Sequence, residues 1–281
     1  MTEQAAKPDP YVGMDLGEST HTIDATLLGN YHDGLAVEPL ADSWVPSMTV
    51  GPVDDMFTVK GAFPDGYGNL WMRQAWQFRV PLRPDVTYRT SAQITDIYQK
   101  RDRTVVVDEL RIADGSTVVA TAQHHQSYLT GDNTRSLNLR APDAKGHKRG
   151  YEVPQGEPIE AFSREITLEM CGSFFHGRRS YHTDKEASAE LGFNDVVVGG
   201  RMTLSLVCSM LEARFGQAWL TSGDVDVKFT NIVWPGDTIT TRGVVIGDAE
   251  GDSSRSTLKI WVDKPDGTVV LVGDASVSKS S

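Results

Sequence analysis

The chain has 281 residues, of which 39% are hydrophobic and 23% charged, and its formal net charge is −11. This composition is typical of an ordinary globular protein of one or two domains rather than of a disordered chain. The net negative charge argues against nucleic acid or an anionic membrane as the main partner, because both select for Lys and Arg patches.

The sequence favours a cytoplasmic protein without structural disulfides or zinc. The first residues, MTEQAAKPDPYVG, lack the basic and apolar stretches of a signal peptide. No window reaches the roughly 18 apolar residues that a bilayer-spanning helix needs. The two cysteines, Cys171 and Cys208, lie in segments predicted to be helical, in neither a CxxC nor a Cys/His metal spacing.

The first half is predicted to consist mostly of strands. Residues 39–57, PLADSWVPSMTVGPVDDMF, are interrupted by Pro46, Gly51 and Pro52, so any helix in this segment is expected to be broken or rerouted.

Further on, Trp76, Phe78 and Val80 alternate with polar residues, which is the period-2 pattern of a half-buried strand. The β-rich run 104–112 is followed by a turn containing Asp-Gly and then by a second β-rich run, which predicts an antiparallel hairpin.

A change of composition in the middle of the chain predicts a domain boundary. The segment is rich in Gly, Pro, Asn, Asp and basic residues, as linkers are. We expect an N-terminal domain over residues 1–130, a linker over 131–160 and a C-terminal domain over 161–281.

The segment 201–216, RMTLSLVCSMLEARFG, is apolar almost all round. A helix with so little polar surface must be buried, so it is expected to be wrapped by a sheet. Gly216 is predicted to end it.

The two halves repeat one plan. The segment 76–90 resembles 227–241 at an offset of 151, and the Asp-Gly turn at 114–115 recurs at 266–267. Three pairs match in the first comparison: Phe78 with Phe229, Pro84 with Pro235, and Thr87 with Thr238. A duplicated antiparallel sheet around a buried helix predicts an α+β double hot-dog, with the helix of the first half eroded.

Residues 162–207 resemble the catalytic block of the MaoC-like (R)-specific enoyl-CoA hydratases and dehydratases. That block has a Thr-begun helix, a D-x-N-P-x-H-x-D loop, a short helix ending at Gly-Phe, and an H-G-M-x-T turn before the central helix. The matching pieces here are Thr167, His182-Thr183-Asp184, the run 186–191 with Gly192-Phe193, and Gly200 to Thr203.

The resemblance implies addition of water to an unsaturated acyl thioester. This reaction needs a base for the water, an acid for the α-carbon and a donor for the thioester oxygen. His182 is the expected acid/base, and the backbone N–H of Gly200, at the start of a buried helix, is the expected oxyanion donor. His176 is a candidate second proton carrier, and Gly199 and Arg201 are expected to flank the substrate.

The chain departs from the motif at several positions. Gly177 stands where the family has its catalytic Asp, Arg179 and Ser180 replace its Asn and Pro, and Gly199 replaces the His of H-G-M. His176 could supply the missing group.

A second way to supply it starts from residues 27–34, which echo residues 170–177. His32 and His176 would then be repeat partners, and Asp33 could contribute a carboxylate across the domain interface.

A third option is that Arg178 and Arg179 bind a substrate carboxylate or a coenzyme A phosphate. In each of these three cases, the competing interpretation is that the residues are merely solvent-facing parts of loops.

The function expected from the resemblance is that of a hydro-lyase of fatty acid metabolism, an enoyl-CoA hydratase or 3-hydroxyacyl dehydratase of modified mechanism. Its partner would be an acyl-CoA or acyl-carrier thioester, and no metal or redox cofactor is implied. The alternatives are an acyl-CoA thioesterase, a noncatalytic acyl-thioester-binding subunit, and an enzyme that uses the fold on a free acid. A homodimer is expected, because fused hot-dog pairs often dimerise again.

Overall fold

The computed structural model describes residues 7–130 and 151–279. Within these ranges no helix is long and apolar enough to cross a membrane. The strands are β1 (Asp15–Thr22), β2 (Tyr67–Phe78), β3 (Thr87–Lys100), β4 (Arg103–Asp114), β5 (Thr117–Leu129), β6 (Glu157–Glu165), β7 (Asp224–Phe229), β8 (Thr238–Ala249), β9 (Asp252–Asp263) and β10 (Val269–Ser278). The helices are α1 (Ala25–Leu35), α2 (Val53–Gly61), α3 (Leu168–Phe174), α4 (Lys185–Glu190), α5 (Gly200–Phe215) and α6 (Gln217–Ser222).

The ten described strands form one antiparallel sheet in the order β1-β3-β4-β5-β2-β7-β10-β9-β8-β6. Followed from each edge of the sheet to its middle, the strand order is the same in both halves, with β6 to β10 in the places of β1 to β5. The halves join where β2 pairs with β7, and an ion pair between Arg73 and Asp226 lies across the seam. The predicted α+β double hot-dog is therefore confirmed.

The repeat that the sequence indicated corresponds to real structural equivalence. Phe78 and Phe229 are the last residues of β2 and β7, and Thr87 and Thr238 are the first residues of β3 and β8. Both Asp-Gly turns connect hairpin strands, as predicted. Val80 lies beyond the end of β2 and is 37% exposed, so the alternation that starts at Trp76 does not extend to it.

The central helix of the second half is α5, which begins at Gly200 and ends at Phe215, with Gly216 as its C-cap at a φ of +53°. Eleven of its residues are buried, as its nearly all-round apolar sequence predicts. Each large apolar side chain buried in this way contributes roughly 1.5–3 kcal/mol to stability.

The first half keeps only a shortened helix in the corresponding place. Pro46, Gly51 and Pro52 divide the segment into two short 3-10 turns and the nine-residue α2. The predicted erosion is thus correct, and its cause is the missing backbone donors of the prolines. Glu212 of α5 ties this irregular segment down, because its Oε1 accepts hydrogen bonds from the N–H and hydroxyl of Ser47, both at 2.6 Å.

The linker predicted over residues 131–160 needs a correction at its end. Strand β6 begins at Glu157 and pairs with β8, so residues 157–160 belong to the sheet of the second half. Their Pro- and Glu-containing sequence is tolerated because β6 is an edge strand. Residues 131–150 of the predicted linker lie outside the described residues.

The equivalent helices α1 and α3 cross at a glycine. A Cβ on Gly34 would lie 2.6 Å from both the Cβ and the backbone nitrogen of Phe174, so the helices can approach this closely only without a side chain there.

We expect Gly34→Ala to lower the free energy of unfolding by about 1–3 kcal/mol, because the two helices must be forced apart. Gly29→Ala, in the same helix, is the matched control, since no atom lies within 4 Å of its added Cβ. It should instead stabilise the protein by up to about 1 kcal/mol through helix propensity. Urea denaturation of both variants tests this, and equal stabilities would contradict the close crossing.

Candidate active site

A cavity of about 1100 Å³ lies between the two halves. The second half contributes its loop after α3 and the N-terminus of α5, and the first half contributes β1, α1, α2, β2 and β5. The size exceeds that of most small-ligand pockets. Six of the candidate residues named from the sequence line the cavity: His176, Arg178, His182, Gly199, Gly200 and Arg201.

His182 is held in one tautomer. Its Nδ1 lies 2.7 Å from the carbonyl oxygen of Val197, and since a carbonyl can only accept, Nδ1 carries the proton and Nε2 is left with a free lone pair. The ring stacks on Phe175, with centroids 4.7 Å apart, and packs against Tyr181. Burial, reinforced by the charge of Arg201, lowers the pKa of His182 to about 4, so the imidazole is neutral at neutral pH.

The N-terminus of α5 presents bare backbone to the same cavity. Gly199 is the N-cap and Gly200 the first helical residue, so the N–H of Gly200 has no acceptor within its own helix. Aromatic rings hold both glycines tightly: a Cβ on Gly199 would lie 2.3 Å from Cζ of Phe175, and one on Gly200 would lie 3.0 Å from atoms of Trp71 and Phe229. Phe175 therefore fills the space that a His side chain at position 199, as in the family's H-G-M turn, would need.

His176 lies at the exposed edge of the cavity. Its φ is +57° and that of Gly177 is +65°, so two successive left-handed residues turn the chain after α3. Nδ1 of His176 accepts a hydrogen bond of 2.8 Å from the side-chain amide of Asn30 in α1, which places the ring proton of the neutral form on Nε2. Burial and the neighbouring charges of Arg201 and Arg178 lower the pKa of His176.

The arginines have different surroundings. Arg178 lines the cavity. Arg179 is exposed, with carboxylate partners in Asp184 and Glu190 at 3.2 Å, so the structure gives this residue an ion-pairing environment away from the cavity.

Arg201 is only 3% exposed and lies against the rings of Phe174 and Phe175. Its Nη1 is 3.0 Å from Oδ1 of Asp55. The guanidinium is therefore buried beside the N-terminus of α5, with one carboxylate partner from the other half.

The proposed pairing of His32 with His176 does not hold. Counted from the N-caps Asp24 and Thr167, the equivalent of His32 is Phe175. Nδ1 of His32 contacts the carbonyl oxygen of Val37 beyond the end of α1, and Asp33 is exposed.

The first-half carboxylates that line the cavity are instead Asp24, Asp54 and Asp55. Asp54 and Asp55 were missed because acidic residues in the first turn of a helix are usual for electrostatic reasons. Burial raises the pKa of Asp54 to about 7. Nothing in the local sequence distinguishes this side chain from a helix-terminal charge.

The fold and its cavity define a double hot-dog protein with a helix N-terminus and an imidazole at one site. Residues 178–261 match the family model of the MaoC like domain. The match lies within the C-terminal half, from the loop after α3 into β9.

Known proteins are similar to the chain in sequence or in fold. The enoyl-CoA hydratase ChsH3 of Mycobacterium tuberculosis (strain ATCC 25618 / H37Rv) is 23% identical over 205 residues, which is 69% of this chain and 65% of that protein's length. A MaoC-like dehydratase from Phytophthora capsici superposes with a TM-score of 0.70 at 18% identity, covering 96% of each chain. A conserved hypothetical protein of Mycobacterium tuberculosis with a double hotdog fold gives 0.66 at 12% identity, covering 98% of this chain and 99% of that one.

Proposed function

We propose that the protein is a hydro-lyase that adds water to, or removes it from, the acyl group of a coenzyme A or acyl-carrier thioester. One observation carries the proposal: a neutral imidazole with a free Nε2 and the glycine N-terminus of a buried helix line the same cavity. The MaoC-like domain and the similarity to a protein named enoyl-CoA hydratase support the same chemistry.

In the hydration direction, Nε2 of His182 takes a proton from water while the water oxygen bonds to the β-carbon. The electron pair of the double bond moves toward the thioester, and the N–H of Gly200 at the positive end of the helix dipole holds the resulting enolate oxygen. The α-carbon then takes a proton, and the imidazolium formed at His182 is the acid that supplies it through solvent, so that His182 returns to its neutral form. His176, at the edge of the same cavity, is the candidate second carrier of this proton.

The residues that line the cavity support one placement of the substrate. The acyl group lies between the halves, and coenzyme A extends past the exposed loop that contains Arg178. A guanidinium at this point can contact a phosphate of the coenzyme.

We also propose that the protein is a homodimer, that it is located in the cytoplasm and that it acts in fatty acid metabolism. The net charge of −11 supports a protein that works away from anionic surfaces. Light scattering of the purified protein tests the dimer directly.

The test of the activity is hydration of trans-2-enoyl-CoAs, followed by loss of the enoyl-thioester absorbance, with release of free coenzyme A measured in the same samples. We expect hydration without thiol release. Thiol release without hydration would point to a thioesterase, and binding without either would point to a noncatalytic subunit; both outcomes contradict the proposal.

The pH dependence provides a second test. A base with a pKa near 4 is neutral throughout the range from pH 5.5 to 7, whereas a histidine with the ordinary value near 6.5 would be about nine-tenths protonated at pH 5.5. We therefore expect that protonation of His182 causes no fall in kcat/KM for hydration between pH 7 and pH 5.5. A tenfold fall with an apparent pKa near 6.5 would contradict the assigned state of His182.

A further inference from the structure

The end of the cavity in the first half is polar, although it lies deep in the fold. Asp54 of α2 and His124 of β5 line it, at 2% and 4% exposure. The indole of Trp71 from β2 lines the same region. Behind them lie Gln74 and Asp108, which are 0% and 3% exposed. We call these five residues the inner polar cluster.

Each member of the inner polar cluster has a buried polar atom without a hydrogen-bond partner among the described residues: Oδ1 of Asp54, Nε1 of Trp71, Oε1 of Gln74, Oδ1 of Asp108 and Nε2 of His124. Other atoms of the cluster are bonded. Gln74 donates to Oδ2 of Asp54 at 2.7 Å, and Nδ1 of His124 lies 3.0 Å from the hydroxyl of Thr58.

A buried network that is only half satisfied costs stability. Such an arrangement is expected where a ligand completes the missing hydrogen bonds. Three of the unpaired groups belong to residues of the cavity wall: an indole N–H that only donates, an imidazole nitrogen, and a carboxyl oxygen.

The protonation of the cluster indicates what kind of ligand it suits. Burial raises the pKa of Asp54 to about 7 and that of Asp108 well above its usual value, and it lowers the pKa of His124 to about 3. The titratable groups that act on these side chains are Asp55 and Arg201 for Asp54, Asp54 for Asp108, and His125 for His124. Nδ1 of His124 also lies 3.8 Å from Oδ2 of Asp108. Because burial disfavours the charged form of all three side chains, the cluster matches a neutral oxygen better than an ion.

No group of three or more His, Cys, Asp or Glu residues in the described part of the chain is arranged to hold a metal. The inner polar cluster, which contains two carboxyl groups and an imidazole, is therefore interpreted through hydrogen bonding alone.

The inner polar cluster is close to the place where the reaction would occur. A Cβ on Gly200 would lie 3.0 Å from Cε3 of Trp71, and the rings of Trp71 and His124 are 4.8 Å apart between centroids. The cluster thus lies about one indole width beyond the amide that would hold the thioester oxygen. An acyl group that extends inward from that amide reaches it.

We propose that the inner polar cluster binds a hydroxyl or keto oxygen on the acyl group, so that the substrate is an oxygen-substituted acyl thioester rather than a plain hydrocarbon chain. This inference rests on the proposed hydro-lyase function and specifies its substrate class.

The test compares two matched series of trans-2-enoyl-CoAs from six to twelve carbons, one plain and one with a terminal hydroxyl. At the length that places the hydroxyl at the cluster, kcat/KM should exceed that of the plain analogue by at least about tenfold, because the plain chain leaves buried polar groups unpaired. Turnover of the plain series without preference at any length would overturn this inference and leave the hydro-lyase function standing. Absence of turnover in both series would overturn the function itself.

A pair of tryptophan variants locates the preference. Trp71→Phe keeps an aromatic ring but removes the donor, and it should bring the ratio between the two series close to one. Trp76→Phe is the matched control: Trp76 also lies in β2 and also has an unpaired buried Nε1, yet it is absent from the cavity wall described above. The control should keep the wild-type ratio, and an equal loss in both variants would overturn the assignment to the cluster.

Discussion

Replacing His182 by Ala is expected to lower kcat for hydration of enoyl-CoA by a factor of about 10²–10⁴, which is the usual contribution of a positioned general base. The loss should appear in kcat rather than only in KM, because the free Nε2 acts on the water and not on the coenzyme. His182→Gln, which keeps much of the side-chain volume between Phe175 and Tyr181, should show a similar loss. Steady-state kinetics with thermal unfolding of each variant checks that the fold is intact.

The matched control is His32→Ala. This imidazole sits at the end of α1 with its Nδ1 on the carbonyl oxygen of Val37. The His32→Ala variant should retain wild-type turnover. Folded His182 variants with full activity would show that the residue only caps the loop before α4.

Gly199→Ala is expected to reduce both stability and turnover. The added Cβ would lie 2.3 Å from Cζ of Phe175, and that ring is buried between His182 and the guanidinium of Arg201. Relief of the overlap must move the ring, so we expect a loss of about 1–3 kcal/mol in the free energy of unfolding. Because Phe175 stacks on the proposed base, kcat should fall by on the order of tenfold or more, since small displacements of catalytic groups are costly.

Gly172→Ala in the neighbouring α3 is the control, because no atom lies within 4 Å of its added Cβ. The double variant Gly199→Ala/Phe175→Leu should recover part of the lost stability, as expected for residues in direct contact. Additive losses in the double variant would mean that the overlap with Phe175 is not the cause.

The sequence alone predicts the architecture well because the features that define it are local or repeated. The all-round apolar run that became α5 needs no tertiary information to be placed inside a sheet, and the repeat identifies β2 with β7 before any coordinate is known. The position of His182 and of the glycines at the start of α5 follows from motif spacing in the same way.

The composition of the site could not be predicted to the same degree, because it depends on contacts between distant segments. Asp55 meets Arg201 across 146 positions of sequence, and Asn30 meets His176 at the same separation. Arg179 shows the same dependence. Its residue type suits an anion site, and its carboxylate partners in the structure are Asp184, the N-cap of α4, and Glu190, the last residue of α4.

The reason why Gly199 stands in place of the His of the H-G-M turn is seen only in the three-dimensional structure. The ring of Phe175 occupies the volume in question, and no pattern in the chain connects the two positions. The same holds for the inner polar cluster, whose members come from α2, β2, β4 and β5.

The most direct test of the account is a structure of the protein with butyryl-CoA, a saturated thioester that cannot be hydrated. We expect the thioester oxygen to lie within hydrogen-bonding distance of the Gly200 N–H, with the β-carbon facing Nε2 of His182. A thioester bound outside the cavity, or one whose oxygen points away from the start of α5, would contradict it.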